Sequence, residues 1–75
     1  MNNNLKARLQ AYFQDFVDDT GAIQSISLYD LQEMKKELTS ENKTGEYNAD
    51  IKELEILIAM FKASNIAENE YIQFL

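Results

Sequence analysis

The sequence predicts an all-α protein that folds as a small three-helix bundle with a short C-terminal helical segment. Apolar residues recur at the 3.6-residue period of a helix in three blocks of the chain. Glycine occurs only at positions 21 and 45, between those blocks, and proline, which breaks helices, is absent. We therefore expect helices at about residues 4–19, 28–43 and 47–64, a helical segment at 66–74, and one domain over residues 1–75.

The first predicted helix carries a single apolar stripe. Its members lie three or four residues apart or directly beside such a position: Leu5, Leu9, Tyr12, Phe13, Phe16 and Val17. Gly21 is placed to end this helix in a left-handed conformation. Asp18 and Asp19 lie in the last predicted turn, where the helix dipole disfavours negative charge, so we expect this end to fray.

The second predicted helix begins with three agreeing signals. Ser27 can cap the amide of Asp30, the Asp30 carboxylate can bond back to Ser27, and Ile26 can pack on Leu31. The preceding residues 22–27 alternate apolar and polar side chains over only six positions, and we interpret them as a connecting loop. The apolar face of the helix is narrow and consists of Leu28, Leu31, Met34 and Leu38.

The third predicted helix has the widest apolar face and is expected to be central. Its stripe contains Tyr47, Ile51, Leu54, Leu57, Ile58 and Phe61, and Ile56 and Met60 broaden it. Asn65 ends the helix and forms a second capping-box pattern with Glu68, which predicts the short C-terminal helix. The link between the second and third helices is short, so we expect them to be antiparallel neighbours.

The residue types present argue against catalysis. A nucleophile needs a neighbouring base, and the chain contains neither His nor Cys. Neither the aspartates before Gly21 nor the turn around Gly45 matches a calcium loop, and no glycine-rich phosphate cradle is present. We expect no enzymatic activity, no cofactor and no metal. The serines lie at predicted helix ends, where their hydroxyls satisfy backbone groups: Ser25, Ser27, Ser40 and Ser64.

Charge and hydropathy narrow the choice of partner. The formal net charge of −6 makes nucleic-acid phosphates and anionic lipid surfaces poor partners. The longest apolar run, residues 56–61, is far shorter than the roughly 20 residues that cross a bilayer, and we expect no membrane contact and no signal peptide. The absence of cysteine fits a reducing compartment, and we expect a cytoplasmic protein.

The acidic charge is concentrated towards the end of the chain. Residues 46–75 contain six acidic residues and two lysines, so this segment carries −4 of the net charge. One interpretation is a solvated helix exterior. The functional hypothesis is an acidic helical face that docks on a basic protein, as a stoichiometric inhibitor or regulator of the phage or mobile-element type. The expected partner-binding residues are Asp50, Glu53, Glu55, Glu68, Glu70 and the chain-end residues Tyr71, Phe74 and Leu75.

Two further classes of function remain open at this point. Ile56 and Met60 broaden the third helix beyond what two neighbours need, which favours a homodimer or a larger structural assembly. Three short helices are also the minimum for a helix-turn-helix DNA reader. The candidate recognition helix, residues 28–38, offers Lys35 and Lys36 but also three acidic residues and no arginine, so we disfavour direct nucleic-acid binding.

Overall fold

The computed structural model describes residues 3–14 and 23–74 of the chain. The described part is mostly helical, with α1 at Asn3–Phe13, α2 at Leu28–Glu41 and α3 at Asn48–Ala63. The last two helices begin and end within two residues of their predicted bounds. Two short strands, β1 at Ser25–Ser27 and β2 at Tyr71–Gln73, pair as an antiparallel two-stranded sheet. None of the helices in this described part is long and apolar enough to cross a membrane.

Helix α1 forms from the predicted apolar stripe. Leu5, Leu9 and Phe13 are almost completely buried, at 1%, 0% and 1% exposure, because their spacing of four residues places them on one face. The helix ends at Phe13. The rest of the predicted helix, residues 15–19, and the predicted stop at Gly21 lie outside the described residues.

The predicted C-terminal helical segment at 66–74 is wrong. Residues 71–73 form β2, whose register pairs Ile72 with Ile26 of β1. Ile72 and Phe74 are buried while Tyr71 and Gln73 are exposed, which is the two-residue alternation of a strand. Residues 25–27, expected to be part of a connecting loop, form the partner strand.

The residues that suggested a second helix start have other roles. Asn65 has a φ of 57°, a left-handed conformation that follows the end of α3. The backbone carbonyl of Glu68 accepts a hydrogen bond of 3.1 Å from the amide of Tyr29, and Glu70 donates its amide to the carbonyl of Ala67 at 3.0 Å. The segment 66–70 is therefore a turn that leads the chain back to β1.

The predicted start of α2 is confirmed in detail. The Asp30 amide donates to the Ser27 hydroxyl, the Ser27 amide donates to the Asp30 carboxylate, and both hydrogen bonds measure 3.2 Å. Ser27 thus ends β1 and caps α2 at the same position, at 2% exposure. The reciprocal bonds satisfy two of the amides that a helix start leaves without intrahelical partners.

Helices α2 and α3 form an antiparallel hairpin, as expected. Asn42 donates its side-chain amide to the Asn48 side chain at 2.8 Å, and Lys35 lies 3.5 Å from Glu55, so successive contacts run in opposite directions along the two helices. Gly45 turns the chain with a φ of 83°, in the left-handed region that glycine tolerates best.

All five elements contribute to one core. Phe13 of α1 stacks on Phe74, which follows β2, with ring centroids 5.8 Å apart. This contact joins the first helix to the end of the described chain. The buried apolar side chains are Leu5, Leu9, Phe13, Ile26, Leu28, Leu31, Leu54, Leu57, Phe61, Ile72 and Phe74.

Candidate interaction surface

Two of the predicted partner-binding carboxylates lie against α1. The guanidinium of Arg8 donates to both oxygens of Glu53, from Nε at 2.6 Å and from a terminal nitrogen at 2.9 Å. The hydroxyl of Tyr12 donates to Asp50 at 3.0 Å. Asp50 and Glu53 therefore hold α1 on α3, and a partner would have to compete with those bonds to use them.

These contacts change the protonation of their donors. Burial raises the pKa of Tyr12 above its ordinary value, and the hydrogen bond to Asp50 and the charges of Asp50 and Glu53 raise it further. The hydrogen bond from Arg8 to Glu53, followed by their mutual attraction, raises the pKa of the Arg8 guanidinium. Both shifts favour the protonated donor, which is the form that can make the hydrogen bond.

Glu55 lies on a different side of α3. Its carboxylate is 3.5 Å from the Lys35 ammonium, and the two side chains are 55% and 38% exposed. A pair this exposed is screened by water and holds neither residue firmly. Glu55 is therefore separated from Asp50 and Glu53, and the structure does not bring the predicted carboxylates of α3 together into one continuous face.

The remaining predicted carboxylates lie beside an exposed tyrosine. Glu68 and Glu70 are exposed in the turn before β2, and Tyr71 is 61% exposed at the first position of that strand. Tyr29, which the sequence did not single out, is 53% exposed in the first turn of α2. Among the described residues, these two tyrosines are the large apolar side chains that remain exposed.

Backbone hydrogen bonds fix the four residues near one another. Ser27 pairs with Tyr71 in the sheet, and two residues further on the Tyr29 amide donates to the Glu68 carbonyl. The strand end, the turn and the start of α2 thus form one edge of the molecule. We call Tyr29, Glu68, Glu70 and Tyr71 the tyrosine–glutamate surface.

The other predicted contact residues are placed differently. Phe74 is 8% exposed and belongs to the core, so it packs on its own chain. Leu75 lies outside the described residues. Met60 is half-buried and packs against the core, and Ile56 is also half-buried. Neither side chain of this pair is among the exposed large apolar residues of the described chain.

A signal for Tyr29 was present in the sequence. The apolar face of α2 is formed by residues 28, 31, 34 and 38, and Tyr29 lies about 100° around the helix from the first of them. A large aromatic residue off the buried face of an amphipathic helix predicts either an extra packing contact or an exposed binding residue. Its nearness to Tyr71 depends on the strand pairing and is visible only in the structure.

Comparison of the chain with protein-family models, with curated proteins and with solved structures gives no significant match.

Proposed function

We propose that this chain is a non-catalytic protein-binding module, a stoichiometric inhibitor or regulator that docks the tyrosine–glutamate surface on a basic region of another protein. The observation that carries the proposal is the exposure of Tyr29 and Tyr71, at 53% and 61%, beside the exposed Glu68 and Glu70. This pairing of exposed aromatic rings with free carboxylates has a specific chemical use.

Exposed tyrosines are suited to protein interfaces. A tyrosine ring has a large apolar area and only two side-chain torsions, so burying it on a partner gains contact area at a low cost in conformational entropy. The hydroxyl can hydrogen-bond at the interface rim. Interface residues that contribute most to affinity are accordingly enriched in tyrosine.

The carboxylates select a basic partner. An arginine of the partner can stack on a tyrosine ring and pair with a neighbouring glutamate at the same time. The net charge of −6 would steer such a partner towards the surface during diffusional encounter. Glu68 and Glu70 take the leading roles because Asp50 and Glu53 are bonded to α1.

The regulatory role rests on size and charge. A chain of 75 residues offers one compact binding surface and acts by occupying a site on a larger protein. Small acidic inhibitors of the phage and mobile-element type work in this way, and the cytoplasm is the compartment that this proposal assumes. The likeness is one of size and charge.

Site-specific photo-crosslinking tests the proposal in living cells. A photo-reactive phenylalanine analogue is placed at Tyr71 or Tyr29, and a matched control carries it at Glu46, in the turn at the other end of α2. The 14-residue helix separates these ends by about 20 Å. We expect positions 29 and 71 to give the same covalent adduct with a basic protein, and position 46 to give none.

Other results would replace the proposal with one of its rivals. Adducts that form equally from position 46 would show non-specific association of an acidic surface. An adduct of twice the mass of this chain, formed from an analogue at Ile56 but not from position 71, would favour the homo-oligomer.

A further inference from the structure

A groove with basic walls lies between α2 and α3. Residues three and four apart on a helix lie on the same side, and Gln32, Lys35, Lys36 and Ser40 line the groove from α2. Ile58 and Lys62 line it from α3. The volume is about 450 Å³, within the range of small-molecule sites. We call this feature the lysine groove.

The lysine groove concentrates positive charge in an acidic protein. It collects three of the seven basic residues of the chain, from two positions of the sequence that only the hairpin brings together. Lys35 has an exposed partner in Glu55 at 3.5 Å. Over residues 3–14 and 23–74, Lys36 and Lys62 form no ion pair. Two ammonium groups are therefore available to a ligand.

Carboxylates around the groove limit the size of that ligand. Glu33, Glu37 and Glu41 line the adjacent surface on the far side of Lys36, and Glu55 borders Lys35. A nucleic-acid strand or an anionic membrane would extend over these carboxylates and be repelled. Charges further than about 8 Å away are largely screened at physiological salt, so a compact anion within the groove experiences mainly the lysines.

The donor set favours phosphate over carboxylate. Lysine ammonium groups act as point charges that suit the three oxygens of a phosphate, whereas planar carboxylates are best held by the fork of an arginine, which the groove lacks in its lining. The Ser40 hydroxyl and the Gln32 amide add hydrogen-bond donors. Ile58 offers an apolar contact beside them. We propose that the lysine groove binds a small organic phosphate, a phosphomonoester with an apolar part.

An NMR titration with phenyl phosphate tests this assignment independently of any protein partner. Amide resonances of residues 35–40 and 58–62 should shift, with a Kd of about 1 mM or tighter, and added salt should weaken the binding. Inorganic phosphate should bind more weakly because it lacks the apolar part. Phenol, which lacks the charge, should shift none of these resonances.

Variants locate the site. The double variant Lys36→Gln/Lys62→Gln should bind phenyl phosphate at least about tenfold more weakly. The matched control Lys43→Gln/Lys52→Gln removes two exposed lysines outside the groove and should bind like wild type. A thermal melt of each variant establishes that the fold is retained.

Four outcomes would overturn the proposal. Equal loss of binding in both double variants would indicate a non-specific charge effect. Equally tight binding of benzoate would contradict the preference for phosphate, and tighter binding of a short oligonucleotide would contradict the size limit. The absence of any shift of these resonances with phenyl phosphate would remove the site.

Discussion

The stacking of Phe13 on Phe74 gives the most quantitative test of the fold. Phe74 is 8% exposed, and its amide donates to the carbonyl of Gln24 at 2.9 Å, so the backbone stays in place when the side chain changes. Phe74→Leu keeps an apolar residue there but removes the ring contact. The loss combines the aromatic pair, about 0.5–1.5 kcal/mol, with the misfit of the new side chain, below about 1.5 kcal/mol.

The expected destabilisation is therefore about 2 kcal/mol. A protein of this length has a total stability of about 4–11 kcal/mol, so this change is large and lowers the melting temperature by about 8–16 °C. Urea denaturation followed by circular dichroism measures it. The control Gln73→Ala alters the exposed neighbour on the same strand and should change stability by less than about 0.5 kcal/mol.

A double-mutant cycle separates the ring contact from general packing. Phe13→Leu, Phe74→Leu and the double variant should give a coupling energy of about 0.5–1.5 kcal/mol. Coupling indistinguishable from zero, or a Phe74→Leu variant as stable as wild type, would refute the placement of the chain end on α1. Either result would also reopen the helical interpretation of residues 66–74.

Three further changes test local features of the fold. Ser27→Ala should destabilise by about 1 kcal/mol because it removes the cap of α2, whereas Ser25→Ala should have little effect; thermal melts compare them. Gly45→Ala should destabilise by about 1 kcal/mol in urea denaturation, because φ is 83° and a Cβ there would lie 3.1 Å from the Asn48 amide nitrogen. Tyr12 has a pKa raised above its model value of 10.0 in the folded state, so the unfolded state loses its proton first as the pH rises. The stability that Tyr12 contributes is complete below pH 10 and declines above it, and Tyr12→Phe should flatten that alkaline decline in chemical denaturation.

Local sequence signals predicted the helices well. The Ser27 and Asp30 capping box needs only residues three apart, and the structure confirms both of its hydrogen bonds. The apolar faces of the helices repeat over several turns, so their period stands out from chance. Gly45 marked the hairpin turn because few other residues tolerate a positive φ.

Non-local pairing escaped prediction. Each strand has three residues, which is too short for an alternating pattern to outweigh the apparent capping box of Asn65 and Glu68. The candidate site was affected in the same way. Asp50 and Glu53 belong to an acidic stretch of sequence, yet their bonds to α1 depend on a helix at the opposite end of the chain.

The affinity of the crosslinked partner for charge-reversal variants tests the central claim most directly. The purified partner is titrated with wild type, with Glu68→Lys/Glu70→Lys, and with the control Glu41→Lys/Glu46→Lys, which makes the same change of net charge in exposed residues at the other end of α2. Docking through the tyrosine–glutamate surface predicts affinity at least about tenfold weaker for the first variant, and within about twofold of wild type for the control. Equal losses in both variants would contradict it, because binding would then depend on total charge alone.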